Sequence, residues 1–155
     1  MDKTQRGRLA EEYFMQGYCC AQSVAMAFTD LTSLSLEQMK RVSHAFGGGF
    51  GRTRGMCGAL AACGIILGLV QKESGDIQKD KTELYEKVQQ ISALFEEKFG
   101  SVSCKKLLEG VEDAGEGGAP GERDAHYYAS RPCARYVRET AELFADYLQK
   151  QHYFS

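Results

Sequence analysis

Cys20, Cys57, Cys104 and Cys133 each fall where a helix is expected to begin. Free backbone amides and the helix dipole favour thiolate there, lowering a thiol pKa from about 8.5 by a unit or more. Thiolate is the species that ligates metal and attacks disulfides, so four such residues point to a metal centre or a dithiol. Cysteine used only as core filler would scatter along helix interiors instead. The chain has no Cys-x-x-Cys pair, the usual knuckle of structural zinc. A four-cysteine site drawn from separate helices is a bundle-interior site, where helices converge to place side chains.

The other two cysteines read as structural. Cys63 lies six residues past Cys57 and points about 120° away from it on a helix. It shares a face with Ala59, Ile66, Leu67 and Val70, an expected core face. Cys57 instead shares a stripe of small residues with Ala61, Gly64 and Gly68, which would let another helix approach closely. Cys19 must point away from its neighbour Cys20 and is a reserve thiol at most. His44 is expected to be solvated or in the core.

The stretch GGGFGRTRGMCGALAACG surrounds Cys57. It lacks the Gly-Lys-Ser/Thr ending of a phosphate-binding loop, and no strand precedes it as a dinucleotide fingerprint requires. Its glycine amides with Arg52 and Arg54 could hold an anion at a helix start. The simpler expectation is that the glycines let the chain turn and pack closely.

The elements that must position these residues are helical. Leu9, Tyr13 and Phe14 mark a first helix ending near Gly17, and a second runs from Cys20 to about Thr29. Ser35 and Gln38 form a capping box for a third helix through Phe46. A Gly-rich loop at 47–55 leads into an apolar helix from about Met56 to Lys72. Asp80 is read as the cap of a long helix to Phe99, stopped by Gly100. A short helix follows Ser101 or Ser103. Residues 110–130 are Gly-rich and acidic and read as a flexible loop over the cysteine pocket, docked by Tyr127 and Tyr128. Pro132 opens a last helix to about Gln149, with Val137, Thr140, Ala141, Phe144 and Leu148 facing inward. The expected fold is an all-α, single-domain bundle of about six or seven helices spanning 1–155.

With 19 basic and 21 acidic residues and a formal charge of −2, the chain has no electrostatic footprint for nucleic acid. The apolar run from Met56 to Val70 is too short to span a bilayer, so no membrane partner is expected. The N-terminal residues are charged rather than signal-like, and the expectation is that the thiols lie in a reducing cytoplasm. A redox protein or a small-molecule substrate is the expected partner, and a homodimer stays open.

Four segments carry a resemblance: YCCAQSVAMAF around Cys20, GGGFGRTRGMCGALAACG around Cys57, FGSVSCKKLL around Cys104 and RPCARYVRETAELF around Cys133. Across roughly residues 10–148 the chain resembles the redox-active protein family C_GCAxxG_C_C. Cys57-Gly58-Ala59 stands where the family label sets glycine before the cysteine. The resemblance implies a helical, redox-active protein whose cysteines bind an iron-sulphur cluster or another metal centre.

Three functions follow as expectations. The first is an iron-sulphur cluster held by Cys20, Cys57, Cys104 and Cys133, for electron transfer or sensing. The second is a thiol-disulfide oxidoreductase with an attacking and a resolving cysteine. The third is an anion or small-ligand binder using the Gly/Arg loop. Four helix-start cysteines exceed the two that a simple dithiol needs, which favours the first.

Overall fold

The computed structural model describes residues 1–153, and within them the fold is all-α. In chain order the helices are α1 (Lys3–Met15), α2 (Cys20–Met26), α3 (Leu36–Ser43), α4 (Gly47–Phe50), α5 (Gly58–Val70), α6 (Ile77–Phe99), α7 (Cys104–Leu107), α8 (Ala125–Ser130) and α9 (Cys133–Lys150). Short 3-10 turns cover Thr29–Leu31 and His44–Phe46.

Local chemistry sets most boundaries. Ser35 and Gln38 cap α3 reciprocally, as their spacing predicts, and Asp2 and Gln5 do the same for α1. Cys19 plays the serine role at α2: its sulphur accepts from the Gln22 amide at 3.5 Å, and its own amide donates to Gln22 Oε1 at 3.1 Å. The long helix α6 starts earlier than expected, because Asp76 rather than Asp80 caps it. Asp80 instead accepts from the amide and hydroxyl of Ser74 and shapes the turn before α6. Gly100 ends α6 at φ +89°, as glycine in this position usually does.

The core lies where α1 runs along α9 and α2 packs on α5, with α6 closing one side. Phe28 and Phe144 meet edge to face at 5.0 Å between ring centres, and Val24, Cys63, Ile66, Leu67 and Leu148 fill in around them. All five inward positions expected on α9 are buried. Arg6 is buried too, pairing with Asp30, donating to the Ala27 carbonyl at 2.7 Å and lying over Phe28. The stripe expected to receive a neighbouring helix does not: Gly64 and Gly68 face open space.

One tie outside the helices matters most for the site. The Cys57 amide donates to the Val102 carbonyl at 2.8 Å and the Cys104 amide to the Gly55 carbonyl at 2.6 Å. This isolated antiparallel bridge, centred on Met56 and Ser103, sets the start of α5 beside the start of α7.

Candidate functional site: a thiol and arginine cavity

Four helix starts meet at one end of the bundle. Cys20, Cys104 and Cys133 are the first residues of α2, α7 and α9, and Cys57 is the cap residue of α5. All four line a single cavity of about 270 Å³, together with Cys19. Cys63 does not; it is fully buried in the core, its sulphur 3.5 Å from the Ala59 carbonyl. His44 reaches the cavity rim and is exposed.

The glycine stretch is what lets the sulphurs crowd together. Gly48, Phe50, Gly51 and Arg52 have φ of +67°, +76°, +61° and +65°, and with Gly49 they make five consecutive left-handed residues. Such a run costs about 1–2 kcal/mol at each non-glycine position, so the surrounding bonds must hold it. They do: the Gly51 amide donates to Gly47, Arg54 to Gly48 and Gly55 to Gly49, at 2.8–3.2 Å. A side chain has no room here. A Cβ on Gly49 would sit 2.6 Å from the Cβ of Cys104, and one on Gly58 would sit 2.7 Å from the Cys20 sulphur. The glycines therefore shape the backbone around the cysteines, as expected.

The thiols are not activated in the way their helix starts suggest. Burial pushes the pKa of Cys20 up and that of Cys57 well up; Cys19 is raised to about 11 and Cys133 to about 12. Backbone amides oppose this, from Gly48 at Cys20 and from Ala59 and Leu60 at Cys57, but loss of water outweighs them. At Cys20, Cys57 and Cys133 the expectation of lowered pKa values is overturned: a dipole acts on a helix end, while desolvation acts on the whole thiolate. Each sulphur also feels its neighbours. Cys20 raises Cys57 and Cys133, and Cys104 raises all three. Among the described residues no three histidine, cysteine or acidic side chains are gathered tightly enough to hold a single metal ion.

Arginine supplies the opposite charge. Arg54 is buried and its Nη1 donates to the Cys104 sulphur at 3.6 Å. Arg52, Arg123 and Arg131 line the same cavity. Arg52 and Arg54 stand on the glycine turn, as the sequence indicates, whereas Arg123 and Arg131 come from the far side and carried no recognisable spacing.

Residues 110–130 do pack over the cavity, contributing Gly118, Pro120, Gly121, Arg123 and Tyr127 to its wall. Arg52 fastens them, donating to the carbonyls of Gly117 at 2.9 Å and Gly115 at 3.3 Å, and the Gly117 amide donates back to Arg52 at 2.8 Å. Tyr128 docks as expected, its hydroxyl donating to the carbonyls of Phe14 and Met15. The segment is not all loop. Asp124 accepts from the Tyr127 amide at 2.8 Å and nucleates α8, a cap hidden in sequence by the glycines before it. Cys19 was also underestimated: capping α2 turns its sulphur to the cavity edge.

Among the described residues no helix is long and apolar enough to cross a membrane. No curated protein and no solved structure matches the chain. A family model described as "Putative redox-active protein (C_GCAxxG_C_C)" matches residues 18–147, a span that includes all four helix-start cysteines and the cavity they line. The chain belongs to this C_GCAxxG_C_C family of redox-active proteins.

Proposed function

We propose that this redox-active protein binds an iron-sulphur cluster through Cys20, Cys57, Cys104 and Cys133. The observation that carries the reading is that four thiols from four separate helix starts line one cavity of about 270 Å³. The donor set is all sulphur, which is the chemistry of iron-sulphur ligation. A single ion draws its thiolates to about 2.3 Å from one point. Among the described residues the thiols do not form such a group, so the reading rests on their shared cavity and their all-sulphur chemistry. The close approach at Gly58, where a Cβ would collide with the Cys20 sulphur, also belongs to a site that brings sulphur and backbone together.

When bound, such a cluster supplies one-electron transfer at a potential set by charge, hydrogen bonds to sulphur and solvent exposure. This chain's residues address each of these. Arg54 donates to the Cys104 sulphur, and the Gly48 amide bonds the Cys20 sulphur. The arginines of the wall offset the negative charge of thiolates. Gly118, Pro120 and Gly121 of the strap at 115–121 form part of the cavity wall, which would reduce the solvent exposure of a bound cluster. Burial that disfavours free thiolate makes the metal-free site a neutral thiol site, so cluster binding would release protons.

A second reading, thiol-disulfide exchange, is supported by Cys19, a fifth thiol at the cavity edge, and by all six cysteines being free. It lacks an activated attacker at Cys19, Cys20, Cys57 and Cys133, whose pKa values are raised. Oxygen-free purification, followed by iron, sulphide and zinc analysis and a visible absorption spectrum, separates the two. Iron and acid-labile sulphide in matching amounts support the cluster. Their absence, with a reversible two-electron thiol titration, supports the dithiol instead.

A further inference from the structure

The cavity wall is rich in positive charge. Arg52, Arg54, Arg123 and Arg131 line it, and none of the lining residues is an aspartate or a glutamate. Arg54 and Arg131 are only 6% and 8% exposed. A buried guanidinium is costly unless an anion meets it. The bonds of these two run to no carboxylate: Arg54 to the Gly115 carbonyl and the Cys104 sulphur, and Arg131 to the carbonyls of Glu112 and Asp113. Arg123 behaves alike, donating to the carbonyls of Phe14 and Tyr18 at 3.1 Å each. Of the four, Arg52 alone approaches a carboxylate, that of Asp113 at 4.0 Å, which is itself 70% exposed.

Carbonyl bonds fix the planes of these cations without neutralising them. Arg131 uses only Nη2 for its two carbonyls, so its Nε and Nη1 stay free of those bonds. Tyr127 steadies the same cluster, with Arg131 at 4.4 Å and Arg123 at 4.8 Å from its ring centre. Rigid guanidinium forks with no carboxylate in the cavity wall match the geometry of oxyanion recognition. We propose that the cavity binds a small oxyanion (a carboxylate, a phosphate or a sulphur oxyanion) against Arg54, Arg123 and Arg131, beside the thiols. The inference rests on the cavity described above and not on the proposed cluster.

The test uses the full chain, reduced, with thiols alkylated in parallel by anionic iodoacetate and by neutral iodoacetamide. The ratio of the two rates cancels the thiolate fraction and reports the cavity's charge. It should exceed the ratio for free cysteine by about tenfold, the lower end of electrostatic focusing. High salt and Arg131→Gln should bring it back toward the free-cysteine value, while Arg131→Lys should retain most of the excess. Phosphate, sulphate and acetate are then added in turn. The anion that slows iodoacetate at the lowest concentration identifies the class. Calorimetric titration of the protein as purified with the same three anions needs no free thiol and no variant. A wild-type ratio equal to that of free cysteine, with no heat from any anion, overturns the proposal. Iron content is measured separately: an iron-free chain with a high ratio keeps the oxyanion site and loses the cluster, and the reverse result does the opposite.

Discussion

Cys57 and Cys63 stand six residues apart on one helix, both buried, yet they belong to regions built by different rules. Cys63 is fully buried in the apolar cluster with Ile66, Leu67, Phe144 and Leu148, its sulphur meeting only the Ala59 carbonyl of its own helix among the hydrogen bonds, and the requirement is volume. Cys57 also belongs to the apolar cluster, but it lines the cavity with four other cysteines, four arginines and the glycine turn, and there the requirement is position. The core is tied together by regular helix packing. The cavity end is tied by left-handed glycines, an isolated bridge and arginine-to-carbonyl bonds. The difference shows why one cysteine can serve as filler while another of equal burial cannot.

The largest expected effect lies in the core. Phe144→Ala removes a ring wholly buried against Phe28 and should cost about 3–5 kcal/mol, read from denaturant unfolding. If the two regions are separable, its thiols should react as before at temperatures where the chain stays folded. A matching change in thiol chemistry under those conditions would merge them.

Gly58→Ala probes the cavity end. Its new Cβ would lie 2.7 Å from both the Cys20 sulphur and the Phe46 carbonyl oxygen. The expected cost is about 1–3 kcal/mol, as for overpacking elsewhere, but with thiol chemistry lost first. The same change at Gly64, which faces open space, should be neutral or slightly stabilising. Equal effects at the two glycines would mean that close approach to sulphur is not what Gly58 provides.

Much of the core was legible in the sequence, because a stripe such as Val137, Ala141, Phe144 and Leu148 repeats with the helix and needs only burial to explain it. The four cavity cysteines were legible for a related reason: each sits at a helix start, and starts leave signals in caps and glycines. Arg123 and Arg131 were not legible. They reach the cavity by crossing from a segment far along the chain, and no local period marks a side chain whose partners are the carbonyls of Phe14 or Asp113. The thiol pKa directions were misread because sequence reveals a dipole but not the water removed around it.

A smaller effect follows from those directions. In the metal-free folded chain Cys19 and Cys133 hold their protons up to about pH 11 and about pH 12. In the unfolded chain a thiol ionises near about pH 8.5. Between these values the unfolded state binds fewer protons, so stability falls as pH rises and is fully present below about pH 8.5. Urea midpoints of the reduced protein should drop from pH 8 to pH 10 by the equivalent of about 1–2 kcal/mol per buried thiol. Cys133→Ser should show a shallower drop. An identical slope would remove Cys133 from the buried titrating set.

The most direct measurement sets the two cysteines of α5 against each other. Iron and acid-labile sulphide per chain are determined for Cys57→Ser and Cys63→Ser after oxygen-free purification, with helical content recorded for both. The expected result is loss of iron and sulphide in Cys57→Ser with helices intact. Cys63→Ser should retain both while losing about 1–3 kcal/mol, since it places a hydroxyl in an apolar site. Retention of a full cluster in Cys57→Ser, or its equal loss in Cys63→Ser with helices intact, would contradict the assignment of the site to the cavity.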